Sequence, residues 1–192
     1  GTFLGPTRLR TALYRSRNLV SVRLVRDLGV TEILKIADRF GLDTGKLPRD
    51  LSISLGTASL TPLELAETYA VFANGGYRVR HHLIDRIESA DGAVLYETQP
   101  VSVCQSECDG LPVSIDLEFD NRLKPAQSEF FDIETQAPIA PRVLDARVHF
   151  LIHDMLKDVI NQGTAKRARS LERQDLAGKT GTTNDQVDAW FS

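Results

Sequence analysis

The sequence predicts an α+β fold in which an antiparallel sheet is flanked by helices. Helical and strand patterns are segregated along the 192 residues and do not alternate as β-α-β units. The strand patterns occur as pairs joined by short turns, which favours antiparallel pairing. The formal net charge of −3 is close to balanced and indicates no nucleic-acid partner. The sequence contains no run of about 18 apolar residues, so it predicts no membrane-spanning helix within these residues.

Residues 1–76 are predicted to form a helical part. Apolar residues recur at three- to seven-residue steps and predict one helix over residues 9–28, with Gly29 as its C-terminal cap. Thr31 is placed to cap a second, short helix, which ends at Gly41. The sequence therefore predicts two consecutive helices before the first clear break.

A third helix has the clearest start signal in the chain. Thr61 is placed as its N-cap, Pro62 at its first position, and Glu64 three residues after the cap. This arrangement is a capping box, in which the threonine and the glutamate each accept a hydrogen bond from the other's backbone N–H. We expect this helix to run to residue 73, where Asn-Gly-Gly stops it.

Residues 77–97 change to a strand pattern. The segments "LIDRIES" and "AVLYE" flank Ala90-Asp91-Gly92, which predicts a β-hairpin turning at that tripeptide. Residues 98–140 show neither helical nor strand period and are predicted to be an acidic excursion or small insertion. A spacer is its default role, and binding of a partner or regulator stays open.

Two cysteines, Cys104 and Cys108, stand in this acidic segment with three residues between them. An oxidised pair outside the cytoplasm and two free thiols inside it are both compatible with that spacing. A zinc site would need two more ligands, and no histidine lies nearby in the sequence. The spacing alone therefore leaves the redox state open.

Residues 141–192 are predicted to contain a long helix and a strand pair. The helix should run over residues 145–162 and end at a Gly163 cap. One face is lined by regularly spaced apolar side chains: Val148, Leu151, Ile152, Met155 and Val159. Strands over residues 176–182 and 187–191 should pair through a turn at Asn184-Asp185.

The first of these strands carries a Lys-Thr-Gly-Thr-Thr run. Its residues are Lys179, Thr180, Gly181, Thr182 and Thr183. Such a run is compatible with an ordinary solvated edge strand. It is equally suited to a binding wall, because an ammonium and hydroxyls can hold a carboxylate while glycine leaves room for an extended ligand beside the backbone.

A second element far upstream favours the binding wall. Ser16 and Asn18 form an S-x-N pair that precedes Lys-Thr-Gly, in the order known for serine acyl-transfer enzymes that handle β-lactams. Taken singly, Ser16 is compatible with a helix N-cap and Asn18 with a surface polar residue. Together with Lys179 they predict an acyl-transfer site.

Five segments in order carry a family resemblance. They are "YRSRNLVSVRLVRDLGV", "AETYAVFANGGYRV", "DGAVLYE", "INQGTAKRA" and "LAGKTGTTNDQVDAWF". The chain resembles the transpeptidase domain of class A penicillin-binding proteins, most closely the 1A type of Gram-negative bacteria. The resemblance covers nearly the whole chain except residues 98–140. It implies a penicillin-binding, serine β-lactamase-like fold that is incomplete at both ends.

The resemblance implies that the protein cross-links peptidoglycan stem peptides and is acylated by β-lactams. Ser16 would then relay a proton to the leaving amine, and Asn18 would hydrogen-bond the substrate amide. Lys179 would polarise the Ser16 hydroxyl and attract the anionic substrate. Thr180 and Thr182 would bind its carboxylate, with Gly181 and Thr183 beside them on the strand. No metal or other cofactor is implied.

The nucleophile of the family is not among these residues. Its S-x-x-K motif holds the active serine and the base lysine, and no serine of this chain has a lysine three positions later. We expect that motif upstream of Gly1, together with a glycosyltransferase domain and an anchor at the periplasmic face of the inner membrane. The chain alone should be inactive and should need the rest of its polypeptide as a partner, with lipid II-derived glycan as a further partner.

Other interpretations stay open. A β-lactamase or β-lactam sensor shares Lys-Thr-Gly, and a non-catalytic binding module would also lack S-x-x-K. His149 and His153 stand four residues apart, as metal ligands on a helix can, but the glutamate of H-E-x-x-H is missing between them. A basic cluster over residues 166–169 is compatible with lipid or glycan phosphate binding and with a solvated loop.

Overall fold

The structure is a computed structural model that describes residues 5–104, 138–182 and 189–192. Its helices are α1 (Leu9–Tyr14), α2 (Asn18–Leu28), α3 (Val30–Arg39), α4 (Pro62–Ala73) and α5 (Ala146–Asn161). Its strands are β1 (Arg86–Glu88), β2 (Val94–Glu97), β3 (Thr180–Thr182) and β4 (Ala189–Phe191). Short 3₁₀ helices span Thr44–Lys46, Leu51–Leu55 and Lys166–Leu171. The strands form two antiparallel pairs, which confirms the α+β class.

The single helix predicted over residues 9–28 is wrong, because the chain breaks between α1 and α2. Ser16 adopts a φ of 51°, in the left-handed region that a non-glycine residue rarely occupies. The Arg17 N–H then bonds to the Ala12 carbonyl at 2.9 Å and closes the turn. Apolar spacing continues through this turn, so periodicity gave no sign of the break.

Gly29 ends α2 as predicted, and it also starts α3. It is the C-cap of α2 and the N-cap of α3, with a φ of 91° that glycine adopts without steric cost. The predicted cap at Thr31 is therefore wrong, since Thr31 lies inside α3. One glycine redirects the chain between two helices without an intervening loop.

The capping box at the start of α4 is confirmed. The Thr61 hydroxyl accepts from the Glu64 N–H at 3.2 Å, and the Glu64 carboxylate accepts from the Thr61 N–H at 2.7 Å. Lys46 donates to the same carboxylate at 2.9 Å. The Thr61 N–H and the Lys46 ammonium together lower the pKa of Glu64 to about 2. On its inner side α4 contributes Val71 to a core cluster.

That first core cluster joins three segments of the chain. Phe40, Val71 and Val143 are buried together, and Phe72 and Leu144 pack against them. Phe40 and Phe72 meet edge to face with ring centroids 5.4 Å apart. The cluster therefore fixes the end of α3 and the inner face of α4 against the segment that leads into α5.

The hairpin of β1 and β2 forms where the sequence predicts it. Arg86 pairs with Glu97, and Ile87 pairs with Tyr96, with a register shift between Ile87 and Glu88. Every residue of both strands is exposed. The strands are shorter than predicted, because the segment before Arg86 is not strand apart from an isolated bridge between Tyr77 and Arg142.

The long helix α5 is confirmed within one residue at each end, but its predicted apolar face is confirmed only in part. Val148 and Leu151 are 45% and 56% exposed, while Leu156 and Ile160 are 6% and 3% exposed. Burial begins only in the C-terminal half of α5, where α1 packs against it. Of the five predicted face residues, Val159 alone is fully buried.

A second core cluster lies at this end of α5. Val159, Ile160 and Ala165 are buried there, with Tyr14, Ala168 and Leu176 packed against them. Arg10 reaches over from α1 and donates to Asp158 at 2.8 Å and also to Asp154. The packing and the ion pair together hold α1 against α5, next to the turn that carries Ser16.

Strands β3 and β4 pair as predicted, with Thr180 opposite Phe191 and Gly181 opposite Trp190. The Lys179 N–H and carbonyl extend the ladder to the Ser192 backbone at 2.7 and 3.2 Å. The predicted turn at Asn184-Asp185 lies outside the described residues. In the described ranges, no helix is long and apolar enough to cross a membrane.

Most of the acidic excursion cannot be compared with the structure, since residues 105–137 lie outside the described ranges. Cys104 is disulfide-bonded, and Cys108 is among the residues that are not described. Ser102 bridges to Ile139, so residues on the two sides of the excursion lie next to each other. Of the two redox states that the spacing left open, the disulfide is the one found at Cys104.

Candidate active site

Ser16 sits in the left-handed turn between α1 and α2. Its N–H bonds to the Leu13 carbonyl at 3.0 Å, and its side chain is exposed. The N-cap of α2 is Arg17, so the alternative of Ser16 as a simple helix cap is wrong. Left-handed backbone at a non-glycine residue costs roughly 1 kcal/mol or more. That cost is compatible with a residue held in place for its hydroxyl.

Lys179 joins the two sequence motifs. Its ammonium donates to the Ser16 hydroxyl at 2.9 Å, across 163 positions of the chain, and to the Thr180 carbonyl at 2.6 Å. The side chain is half-buried, and burial lowers the pKa of Lys179 below its usual value. A lysine in this position holds a serine hydroxyl in one orientation and keeps a positive charge next to the start of β3.

Gly178 lets β4 lie close to the start of β3. A Cβ at this position would lie 2.5 Å from the Ser192 carbonyl oxygen and 2.8 Å from the ring of Phe191. Any larger residue would push the two strands apart and move the neighbouring Lys179. The close approach therefore helps to aim the lysine at Ser16.

Gly181 is different, because its open side faces solvent. Among the described residues, the nearest atom to an added Cβ is the Trp190 Cβ, at 4.0 Å, and Gly181 is exposed. The packing of the described residues thus does not require glycine here. A bare backbone on an exposed strand leaves room for an extended ligand to lie alongside.

The other predicted site residues are only partly brought together. Asn18 is the first residue of α2 and is exposed, and no hydrogen bond joins it to Lys179 or Thr180 within the described residues. Thr182 lies in β3 by its backbone, while its side chain is not described. Thr183 lies outside the described residues.

Sequence reasoning missed one residue of this site, Thr164. Its hydroxyl shares a 2.5 Å hydrogen bond with that of Thr180, and its N–H bonds to the Tyr14 carbonyl at 3.3 Å. The segment "INQGTAKRA" marks the family resemblance, yet within it Gly163 was predicted only as a helix cap. That prediction is wrong, since Gln162 is the C-cap of α5. The sequence feature that could have indicated Thr164 is the Gly163-Thr164 pair directly after the long helix.

The two histidines of α5 contact each other and the backbone of α4. His149 Nε2 lies 2.7 Å from the Phe72 carbonyl oxygen, and the rings of His149 and His153 are 5.5 Å apart. Burial, followed by the charges of Lys157 and His149, lowers the pKa of His153. Among the residues that the structure describes, no group of three or more His, Cys, Asp or Glu could hold a metal ion.

Comparisons with known proteins agree with this geometry. A family profile described as "Penicillin binding protein transpeptidase domain" matches residues 2–188. The chain is 45% identical to penicillin-binding protein 1A of Pseudomonas aeruginosa and 38% identical to that of Vibrio cholerae. Each alignment covers 100% of this chain but 25% and 23% of those proteins. The chain thus spans about a quarter of the length of these relatives.

Solved structures show the same likeness. The crystal structure of penicillin-binding protein 1A from Haemophilus influenzae matches with a TM-score of 0.81 and 32% identity, over 99% of this chain and 28% of that chain. Penicillin-binding protein A from Mycobacterium tuberculosis, solved as an imipenem acyl-enzyme complex, matches with a TM-score of 0.63. It is 20% identical and covers 99% of this chain and 40% of its own, so it supports the fold alone.

Proposed function

This chain belongs to the transpeptidase domain family of penicillin-binding proteins, and on that premise we propose that the full-length protein cross-links peptidoglycan by serine acyl transfer. The observation that carries the proposal is the 2.9 Å hydrogen bond from Lys179 to Ser16. It joins an S-x-N element and a Lys-Thr-Gly strand that are 163 positions apart. An ordinary solvated edge strand would not be expected to place its lysine within hydrogen-bond distance of that serine.

The proposed reaction begins at a serine of an S-x-x-K motif, which is predicted upstream of Gly1. Its hydroxyl attacks the penultimate D-Ala carbonyl of a stem pentapeptide, and its proton passes to the paired lysine. The peptide C–N bond then breaks, and the terminal D-Ala leaves as an amine that takes a proton through Ser16. An amine of a neighbouring stem attacks the acyl-enzyme carbonyl and forms the cross-link. The ester C–O bond breaks, and the proton that the amine loses returns to the serine oxygen.

Lys179 supports this sequence in two ways. It orients the Ser16 hydroxyl by donating to its oxygen, so that the Ser16 proton can point at the departing amine. Its positive charge also favours a ligand carboxylate near the start of β3. Burial lowers its pKa, which eases a proton exchange between Lys179 and Ser16 during leaving-group departure.

The strand β3 is the proposed carboxylate-binding wall. Thr180 and Thr182 would bind the terminal carboxylate of the stem peptide or of a β-lactam, with Gly181 and Thr183 beside them. Gly181 would let the ligand backbone pair with β3 in the manner of an added strand. Asn18, exposed at the first position of α2, would hydrogen-bond the amide of a bound substrate.

The remaining parts of the proposal concern the whole protein. The 1A relatives support a second, glycosyltransferase domain and an anchor that places the transpeptidase at the periplasmic face of the inner membrane. Stem peptides of the cell wall, lipid II-derived glycan and β-lactams are its proposed ligands. The rest of the polypeptide would supply the nucleophile, so the 192 residues alone should show no acyl transfer.

Labelling with a fluorescent penicillin tests the proposal. The full-length protein should be labelled covalently, and its variant with alanine for the S-x-x-K serine should not. A label that survives for many minutes supports a transpeptidase, whereas rapid release with turnover of penicillin indicates a β-lactamase. If the intact wild-type protein takes up no label, the proposal is wrong and the non-catalytic module is favoured.

A further inference from the structure

We propose that Thr164 is a positioning residue of this site, whose hydroxyl orients that of Thr180 toward the carboxylate of the ligand. The inference rests on the proposed function and deepens it, because it assigns the recognition of a free carboxylate partly to a residue outside the S-x-N and Lys-Thr-Gly motifs. The observation behind it is the 2.5 Å hydrogen bond between the two hydroxyls, 16 positions apart in the chain.

The backbone around Thr164 is held in place on both sides. A Cβ on Gly163 would lie 2.4 Å from the Tyr14 carbonyl oxygen and 2.8 Å from the Val159 backbone, so only glycine fits between α1 and α5. The Thr164 N–H bonds to that same Tyr14 carbonyl at 3.3 Å. Ala165 is buried, and its N–H bonds to the Val159 carbonyl at 3.1 Å. These contacts fix the backbone of Thr164. The packed residues around it, Tyr14, Val159, Ile160, Gly163 and Ala165, are called the support below.

The same support carries Ser16. Tyr14, which accepts from Thr164, is two residues before Ser16 in the turn that ends α1. Two side-chain hydrogen bonds thus connect this region with β3 and the lysine before it. Lys179 donates to Ser16, and the hydroxyls of Thr164 and Thr180 share the other bond. The first aims the proton-relay group, and the second aims the adjacent hydroxyl of the carboxylate wall.

The proton count sets the direction of the second bond when a ligand is present. A threonine hydroxyl has one proton to donate and two lone pairs to accept, while an ionised carboxylate only accepts. Thr180 donates its single proton to the carboxylate, so its oxygen accepts the hydrogen bond from the Thr164 hydroxyl. A donor behind the Thr180 oxygen also polarises its O–H and strengthens the bond to the carboxylate.

Without Thr164, two things change at Thr180. Its oxygen loses the bond that fixes the side-chain rotamer, and its O–H loses the polarising donor. Binding of a carboxylate should weaken, whereas a ligand whose carboxylate is esterified uses this bond far less. Thr164 should therefore set the preference for charged over esterified ligands rather than the overall reactivity of the site.

The experiment compares acylation rates of the full-length protein by benzylpenicillin and by its methyl ester. Thr164→Val keeps the side-chain shape and removes the hydroxyl, and Thr164→Ser restores the hydroxyl. The valine variant should lose about tenfold in the rate with benzylpenicillin, the upper end of what one hydrogen bond between neutral groups contributes, and about twofold or less with the ester. Thr98→Val, which removes a threonine hydroxyl beside the hairpin, serves as the matched control.

A double-mutant cycle separates positioning from folding. On a Thr180→Val background, Thr164→Val should cost little more, because the hydroxyl that it orients is already gone. Equal losses with the acid and the ester, or failure of Thr164→Ser to recover the preference, would show a structural role and overturn the inference. Normal acylation with an unchanged preference in Thr164→Val overturns the inference alone, whereas an unreactive wild-type protein overturns the proposed function and this inference with it.

Discussion

The candidate site draws on α1, the segment after α5, and β3, whereas the hairpin of β1 and β2 uses only residues 86–97. In the site, hydrogen bonds connect Lys179 to Ser16 and Thr164 to Thr180 across 163 and 16 positions. In the hairpin, pairing runs between neighbours such as Ile87 and Tyr96, and all strand residues are exposed. The first region depends on the packing of distant segments, and the second depends on a local turn.

Burial follows the same division. The support under the site contains Val159 and Ile160, 0% and 3% exposed, while Leu95 on β2 is 67% exposed. Hydrophobic burial contributes about 25 cal/mol per Å² of apolar area removed from water, so the support holds far more of the stability than the hairpin does. The contrast teaches that the effect of a substitution in this chain depends on what the side chain contacts, and four pairs of substitutions test it.

The largest expected effect compares two leucines. Leu156→Ala removes a side chain that is 6% exposed and should lower the free energy of unfolding by about 2–5 kcal/mol. Leu95→Ala, on the hairpin, should change it by less than about 0.5 kcal/mol. Urea denaturation of the full-length protein measures both. Similar losses for the two variants would remove the distinction between support and hairpin.

The next effect concerns chemistry. Lys179→Met keeps most of the volume and removes the ammonium that holds Ser16, so acylation by fluorescent penicillin should slow by about 10²–10³-fold. Lys166→Met, at an exposed position in the 3₁₀ helix after α5, should acylate at the wild-type rate. A Lys179→Met protein that acylates within threefold of wild type would contradict the role given to this lysine.

Two glycines give opposite expectations. Gly163→Ala places a methyl group 2.4 Å from the Tyr14 carbonyl oxygen and should cost about 1–3 kcal/mol of stability, seen as a lower melting temperature. Gly181→Ala meets no atom of the described residues nearer than 4.0 Å and should melt like the wild type, yet it should slow acylation because its methyl group would lie beside the proposed ligand. Acylation of Gly181→Ala at the wild-type rate would contradict a binding surface on the open side of β3.

The smallest effect is a pH dependence at the capping box of α4. The Glu64 pKa is lowered from 4.5 to about 2 in the folded protein. Its contribution to stability is therefore fully present above pH 4.5 and is lost as the pH falls toward 2. The urea midpoint of the wild type should drop more over this interval than that of Glu64→Gln, with Glu172→Gln as the control. Parallel curves for wild type and Glu64→Gln would contradict the assignment.

Much of the local structure was predictable from short stretches of sequence. Thr61, Pro62 and Glu64 predict the start of α4, and Asp91-Gly92 predicts the hairpin turn, because in each case the partners lie within a few residues of one another. The order of the S-x-N and Lys-Thr-Gly elements likewise predicts which strand faces the site. The capping box and the hairpin turn are encoded by residues that are neighbours in the sequence, whereas the assignment of the strand rests on the order of two distant motifs.

Other features follow from contacts between distant segments. The left-handed turn at Ser16 and the hydrogen bond from Thr164 to Tyr14 lie where α1 packs against α5. In α5 itself, Leu156 is buried whereas Leu151 is exposed. An apolar period predicts that a helix has a buried face, but which residues form that face depends on the element that packs against the helix. Lys179 and Ser16 meet across 163 positions for the same reason: folding brings them together, and no local pattern encodes their distance.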